Sequence, residues 1–290
     1  MNHVLSTHLF ANHRLTSVWL DRIMRAGIPA VEIFCARQHI DWRNRAQIAE
    51  LGHWFRDSDL KLWSLHSPMY TDEFWGRSGP QAVITITEPV KSKRIVMVDE
   101  IKRALEIAEV IPFRYVIQHI GVGGEEYSEP AMEAAFNSLE EIGIFARQRG
   151  VQVLLENIPN SLATPERLHS FLEQTHLDLG YCYDIGHAHI HSGGFEAGFA
   201  IMKDRIRSTH LHDNDGEHDS HVFPFSDRGG TIDWKRAMRL LGGRGDQYPL
   251  LLELKEDPNV PNPIDAAARI FDRLEEIAAT RVEEEEEARR

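Results

Sequence analysis

The sequence predicts an α/β fold of the (β/α)8 TIM-barrel class, and three observations predict it. Short β-rich runs recur eight times along 290 residues, each followed by a helical pattern. No composition break or linker divides the chain, so the units are assigned to one domain over 1–280, followed by an acidic tail at 281–290. No glycine-rich phosphate loop follows the first run, which weighs against the competing doubly wound open sheet.

The elements follow in order. Strands are expected in VLSTHLF (4–10), AVEIFC (30–35), LKLWSLHSP (60–68) and RYVIQHIG (114–121). Four more are expected in VQVLLENIP (151–159), LGYCYDIGHAH (179–189), RSTHLHDN (207–214) and PLLLELK (249–255). Valine, isoleucine, leucine and aromatics dominate them, and Gly, Pro or acidic turns bound them. Helices are expected at 15–27, where Gly27 sits at the C-terminal cap, and at 46–58, 98–111 and 131–150. The next, at 164–175, opens with Thr164 as N-cap and Pro165 at the first helical position. FEAGFAIMKDRI, DWKRAMRLLGG and PIDAAARIFDRLEEIAA complete the alternation. One connection, residues 69–97, is longer than a compact domain needs. Tyr70, Phe74, Trp75 and Arg77 suit a lid or substrate wall, while VITIT suits a packed excursion with short strands of its own.

Composition bounds the function. A content of 42% hydrophobic and 27% charged residues is that of a globular domain rather than a disordered chain. No apolar run approaches the ~20 residues of a membrane helix, and the N-terminus has neither the basic start nor the apolar segment of a signal peptide. The reading is therefore cytoplasmic, with no membrane partner. Cys35 and Cys182, both within apolar runs, are read as buried thiols. A net charge of −13 argues against unassisted binding to nucleic acid, because phosphate must be neutralised by Lys and Arg. Exposed barrel helices commonly support dimers, so a homo-oligomer is among the expectations.

The strand ends carry the chemistry. They close on His8, Glu32, His66, His119, Glu156 with Asn157, Asp184 with His187, His210 with His212 and Asp213, and Glu253. A TIM barrel gathers its strand C-termini around one mouth. Carboxylates and imidazoles from five strands would repel one another and lose hydration there unless a cation held them together. A divalent metal site satisfies them, and His, Asp and Glu without Cys suit Mn²⁺, Zn²⁺, Co²⁺ or Fe²⁺ rather than a structural thiolate zinc.

The ordered motifs SLHSP, VIQHIG, LLENIP, CYDIGHAH, THLHDN, DSH and LLELK resemble the xylose-isomerase-like TIM-barrel superfamily, from the first strand to the last helix. That group includes sugar phosphate isomerases and epimerases and is related to endonuclease IV. The resemblance implies a core metal held by Glu156, Asp184, His210 and Glu253, with Mg²⁺ added to the candidate ions. It also implies that Glu156 and Glu253 act as an acid–base pair in the epimerase branch. In the endonuclease branch it implies a second ion on His66, His119 and Glu156, and a third on His187, Asp219 and His221, so that one to three ions are expected. The expected activity is isomerisation or epimerisation of a sugar or similar polyol, with lyase chemistry starting from the same proton abstraction. The alternative is a multinuclear phosphoesterase, including abasic-site hydrolysis. Substrate contacts are expected from His187, His66, His212, Trp75 and Arg228, the last as a phosphate anchor or a loop salt bridge. Asp213, Asp215, Glu217 and His218 are expected on the loop surface or supporting the ligands.

Overall fold

The computed structural model describes residues 1–288, with side chains through Thr280, so the side chains of the acidic 281–290 tail lie outside the described residues. Eight parallel strands form the sheet: β1 (His3–Ser6), β2 (Ala30–Phe34), β3 (Lys61–His66), β4 (Tyr115–His119), β5 (Gln152–Glu156), β6 (Gly180–Asp184), β7 (Ile206–His210) and β8 (Leu250–Leu252). Sequential neighbours pair from β1 to β7, and β8 pairs with β1. The ring closes just beyond β7, where Leu211 pairs with Leu252 and the Leu211 amide donates to the Leu251 carbonyl at 2.8 Å. The TIM barrel expected from the alternation is the fold.

The period-two alternation of strands decides what lies inside. Leu5, Val31, Ile33, Val116, Val153, Leu155, Tyr181, Leu250 and Leu252 pack outward in the large core shared with the helices. Val4, Ala30, Ile117, Leu154, Cys182 and Leu251 pack inward, with Trp63 against them, and plug the lower barrel. Two residues further along the same inward faces come Ser6, Glu32, His119, Glu156 and Asp184. Apolar plug and polar mouth are therefore successive layers of one pattern. Cross-strand register sets the mouth's pairs, placing His119 beside Glu156 and Asp184 beside His210.

The outer helices are α1 (Ser17–Arg25), α2 (Arg45–Arg56), α3 (Lys91–Leu105), α4 (Glu129–Arg147), α5 (Pro165–Gln174), α6 (Ile185–Ile190), α7 (Gly194–Met202), α8 (Trp234–Leu241) and α9 (Pro263–Ala288). Gly27 takes the left-handed conformation (φ 81°) just after α1, and the Thr164 side chain accepts the Arg167 amide at the start of α5. Both cysteines are free and buried, as expected. Among the described residues no helix is long and apolar enough to cross a membrane.

Among the expected boundaries that move, three do so for an identifiable local reason. The first strand stops at Ser6, whose hydroxyl accepts the His8 amide at 3.3 Å and turns Thr7–Phe10 into a 3₁₀ helix. The sixth stops at Asp184, which caps α6 by accepting the His187 amide at 2.7 Å. Helix α3 begins at Lys91, seven residues before the expected 98, which shortens the long connection to 67–90. Its first turn is polar, and Ile95 and Val96 are exposed, so those residues carry no buried periodicity to betray a helix. VITIT forms no strand beyond a bridge between Val83 and Tyr70, yet Ile84 and Ile86 are buried.

Candidate metal centre

The core set joins four strands. Glu156 ends β5, Asp184 ends β6, His210 ends β7 and Glu253 follows β8, and one ligand atom from each lies within 4.8 Å of all the others. His210 Nδ1 stands 2.8 Å from Glu156 Oε1, 3.4 Å from Glu253 Oε2 and 3.9 Å from Asp184 Oδ2. All four side chains are buried, and Asp184 Oδ2 and Glu253 Oε1 have no hydrogen-bond partner among the described residues. Unpartnered buried carboxylate oxygens cost several kcal/mol each unless a cation meets them. Burial opposes ionisation of Glu156, but His210 and His119 beside it hold its carboxyl well below the usual range. Burial likewise opposes charge on His210, and the surrounding Glu253, Glu156 and Glu32 raise it well above an ordinary histidine. The donor set thus calls for positive charge, which protons on imidazoles or a divalent ion can supply, and it fits a divalent ion.

The second set shares Glu156. Its Oε2 lies 2.9 Å from His119 Nε2 and 3.5 Å from His66 Nε2, and the two ring nitrogens face each other at 3.2 Å. His66 Nδ1 is 3.0 Å from the Ser67 carbonyl, which can only accept, so Nδ1 carries the proton and Nε2 offers a lone pair. Two ring nitrogens and a carboxylate converging in this way suit a cation.

The third set lies on the other side of the mouth. His187 Nε2 is 3.2 Å from Asp219 Oδ2, and His221 Nε2 is 3.2 Å from Asp219 Oδ1. Each histidine donates its other nitrogen to a backbone carbonyl at 2.9 Å, His187 to Asn157 and His221 to Glu253. This leaves Nε2 of each ring as the nitrogen turned toward Asp219 and toward an ion there. Against the cost of burial, Asp219 raises His221 to about 9, while His187 and His221 together drive Asp219 far below the carboxylate range.

The other expected residues divide. Trp75 and Tyr70 line a cavity of about 280 Å³ over the mouth, together with Phe34, Met69, Ile84 and Lys255. His66, His119, Glu156, His187, Asp219, His221 and Glu253 form its floor and sides. Phe74 and Arg77 stack on each other outside it. Arg228, expected at the substrate or in a loop salt bridge, is half-exposed and 3.6 Å from Asp257, outside the cavity lining; the lysine in that lining is Lys255. His212 is fully buried beneath His221, with ring centroids 3.8 Å apart, and does not line the cavity. Asp213 supports the loop from inside, accepting Trp234 Nε1 at 2.7 Å, whereas Asp215 and His218 pair at the surface. Two strand-end residues given no role by sequence reasoning also face the cluster. His8 groups with His221 and Glu253, and Glu32 contacts His210. The signal for Glu32 was its place as the acid within an otherwise apolar AVEIF strand.

Comparison with known proteins identifies the family. The profile of the xylose isomerase-like TIM barrel (AP_endonuc_2) matches residues 20–277. The chain belongs to that family. A D-tagatose 3-epimerase-like protein superposes on this xylose isomerase-like barrel with a TM-score of 0.77 at 23% identity, covering 97% of this chain and 100% of that one. The IOLI protein, solved with a zinc atom bound, superposes with a TM-score of 0.72 at 16% identity, covering 97% and 99%. Inosose dehydratase of Yersinia enterocolitica is 25% identical over 170 residues, 52% of this chain and 57% of that protein. The chain spans less than two thirds of the length of the curated relatives it matches.

Proposed function

We propose that this member of the xylose isomerase-like family is a divalent-metal-dependent isomerase or epimerase acting on a sugar or similar polyol. The observation that carries the reading is the pair Glu156 and Glu253. They reach the cavity from the end of β5 and from the residue after β8, and both approach the same His210 Nδ1, at 2.8 and 3.4 Å. A divalent ion held by Glu156, Asp184, His210 and Glu253 would polarise a substrate carbonyl. One glutamate then removes the proton on the neighbouring carbon, and the other returns it to the same or the adjacent carbon. His66 orients a hydroxyl, and Tyr70, Trp75 and Phe34 cover the apolar face of the substrate and exclude water. The cavity is monosaccharide-sized, and the resemblance to an epimerase-like structure and to inosose dehydratase supports chemistry that begins by removing a proton next to a carbonyl. The protein acts as a cytoplasmic enzyme on a small molecule in this reading.

The test is proton exchange. In D₂O, with Mn²⁺, Zn²⁺, Co²⁺, Fe²⁺ or Mg²⁺ supplied, a panel of ketoses and keto-polyols is followed by NMR for deuterium next to the carbonyl. Exchange is expected in the wild type and is lost by roughly 10²- to 10⁴-fold in Glu253→Gln. A second reading, phosphodiester hydrolysis of the endonuclease IV type, is favoured by the three converging ligand groups and opposed by the net charge of −13. Cleavage of abasic-site DNA with no exchange on any ketose would put that reading first.

A further inference from the structure

His212 has no role in either reading above, yet its position is costly to build. Its ring is fully buried, and its Nε2 has no hydrogen-bond partner among the described residues. A Cβ on Gly186 would come within 2.2 Å of the ring, so the chain keeps a glycine there to admit it. The ring lies flat against His221 and meets His187 edge-on at 5.3 Å. Nε2 stands 3.8 Å from Asp219 Oδ1, the oxygen that His221 Nε2 approaches at 3.2 Å. Its 3.2 Å approach to Asp184 Oδ1 lacks the alignment of a hydrogen bond, and that oxygen already accepts the His187 amide. Four ligand atoms, from His187, His212, Asp219 and His221, therefore lie within 4.8 Å of one another.

We propose that His212 is a fourth protein ligand that makes the third ion position a closed, structural site for zinc or a similar borderline transition ion. Three imidazoles and one carboxylate satisfy a tetrahedral ion without a solvent position. A tetrahedral ion with bonds of about 2.0–2.1 Å has ligand-to-ligand edges of about 3.3 Å. The contacts of Asp219 with His187 and His221, both 3.2 Å, are already close to that edge.

The consequence is mechanical. Asp213 and Val222 pair antiparallel, closing a loop that carries Asp219 and His221. An ion in this site ties that loop to the end of β7 through His212 and to α6 through His187. His221 holds a left-handed backbone (φ 48°), a conformation that a non-glycine residue keeps only when its surroundings enforce it. An ion so enclosed organises the cavity wall and has no position left for a reacting water. The proposal goes beyond the reaction assigned to the core set, and its test does not depend on that reaction.

Bound metal is counted by elemental analysis in the full chain after loading with Zn²⁺ and gel filtration. The proteins are the wild type, His212→Asn, Asp219→Asn, the double variant and His212→Asp. The expected result is that each Asn variant holds one ion fewer than the wild type, the double variant loses no more than either, and His212→Asp keeps the full count. With Co²⁺ in place of Zn²⁺, the strong visible absorption of a tetrahedral ion is expected in the wild type and in His212→Asp and weakened in both single Asn variants. Proteolysis within 213–222 should speed up whenever the ion is lost. A full count in a folded His212→Asn, no loss in Asp219→Asn, or the loss of two ions in the double variant would each overturn the proposal. If His212→Asn does not fold, His212→Asp decides alone, because a partner of Asp184 rather than a ligand would not be replaced by a second carboxylate.

Discussion

His210 turns its Nε2 onto Glu32, at 3.1 Å, while its Nδ1 faces Glu156 at 2.8 Å. Glu32 can only accept when ionised, so Nε2 carries the ring proton and Nδ1 is left for the core ligand position. Glu32 is itself gripped by Ser6 Oγ at 3.1 Å and Ser64 Oγ at 2.7 Å. Three neighbouring strands thus orient one imidazole. Glu32→Gln weakens this orientation without touching the core set, and the ion's affinity is expected to fall roughly 10- to 100-fold. Competition against a chelator of known affinity measures it, and an unchanged affinity would remove Glu32 from any role in holding the metal.

Trp75 tests the cavity wall. Its ring meets Phe34 at 5.1 Å, and its indole N–H is buried without a partner among the described residues. Its backbone amide is held by Gln38, so the side chain can change without releasing the segment. Trp75→Ala is expected to raise KM roughly tenfold, the equivalent of about 1.4 kcal/mol of lost contact, at unchanged metal content. Steady-state kinetics on the substrate found by the exchange screen checks this. A fall in kcat with KM unmoved would place Trp75 in the chemistry instead.

The sequence was most informative where one interaction dominates. Apolar alternation exposed every strand, and strand ends of acid and imidazole exposed the mouth, because a barrel must bring those ends together. Residues 7–10 and 185–189 were read as strand because they extend β-rich runs, whereas single side-chain bonds from Ser6 and Asp184 turn the chain there. Such local competitions leave little trace in composition. Arg228 and His212 show a second limit. Sequence gives the end of β7 and the loop beyond it, but the pairing of Arg228 with Asp257 and the sinking of His212 beneath His221 depend on how that loop closes.

Proton release should accompany metal binding at the third set. Asp219 raises His221 to about 9, so at neutral pH the metal-free ring is an imidazolium, and an ion at Nε2 must displace its proton. The sign follows directly. Affinity rises with pH through the His221 value of about 9, by about tenfold per pH unit for each proton displaced. Against the cost of burial, Asp184 and Asp219 raise His187 well above an ordinary histidine, so it adds its own proton. Titration calorimetry in two buffers of different ionisation enthalpy counts the protons. Equal heats in both buffers would mean that His221 is neutral before the ion arrives.

Acid sensitivity has a source outside the metal centre in His39. The ring is fully buried, its Nδ1 donates to the His13 carbonyl, and its Nε2 has no partner among the described residues, so a second proton would be a buried donor without an acceptor. Burial accordingly lowers its pKa to about 4. The unfolded chain takes up this proton near the ordinary value of about 6.5, before the folded chain does. Its contribution to stability is therefore complete above pH 6.5 and is lost progressively as the pH falls to about 4, by roughly 3 kcal/mol in all. In His39→Gln, which carries no titrating ring, the loss between pH 7 and 4 should shrink by that amount, even though stability at pH 7 also drops through poorer packing. Denaturant midpoints across that range, compared with the wild type in chelator, isolate the term. Parallel pH curves for the two proteins would show that His39 is already protonated in the fold or finds water on opening, and the acid response would then belong to the carboxylates of the mouth.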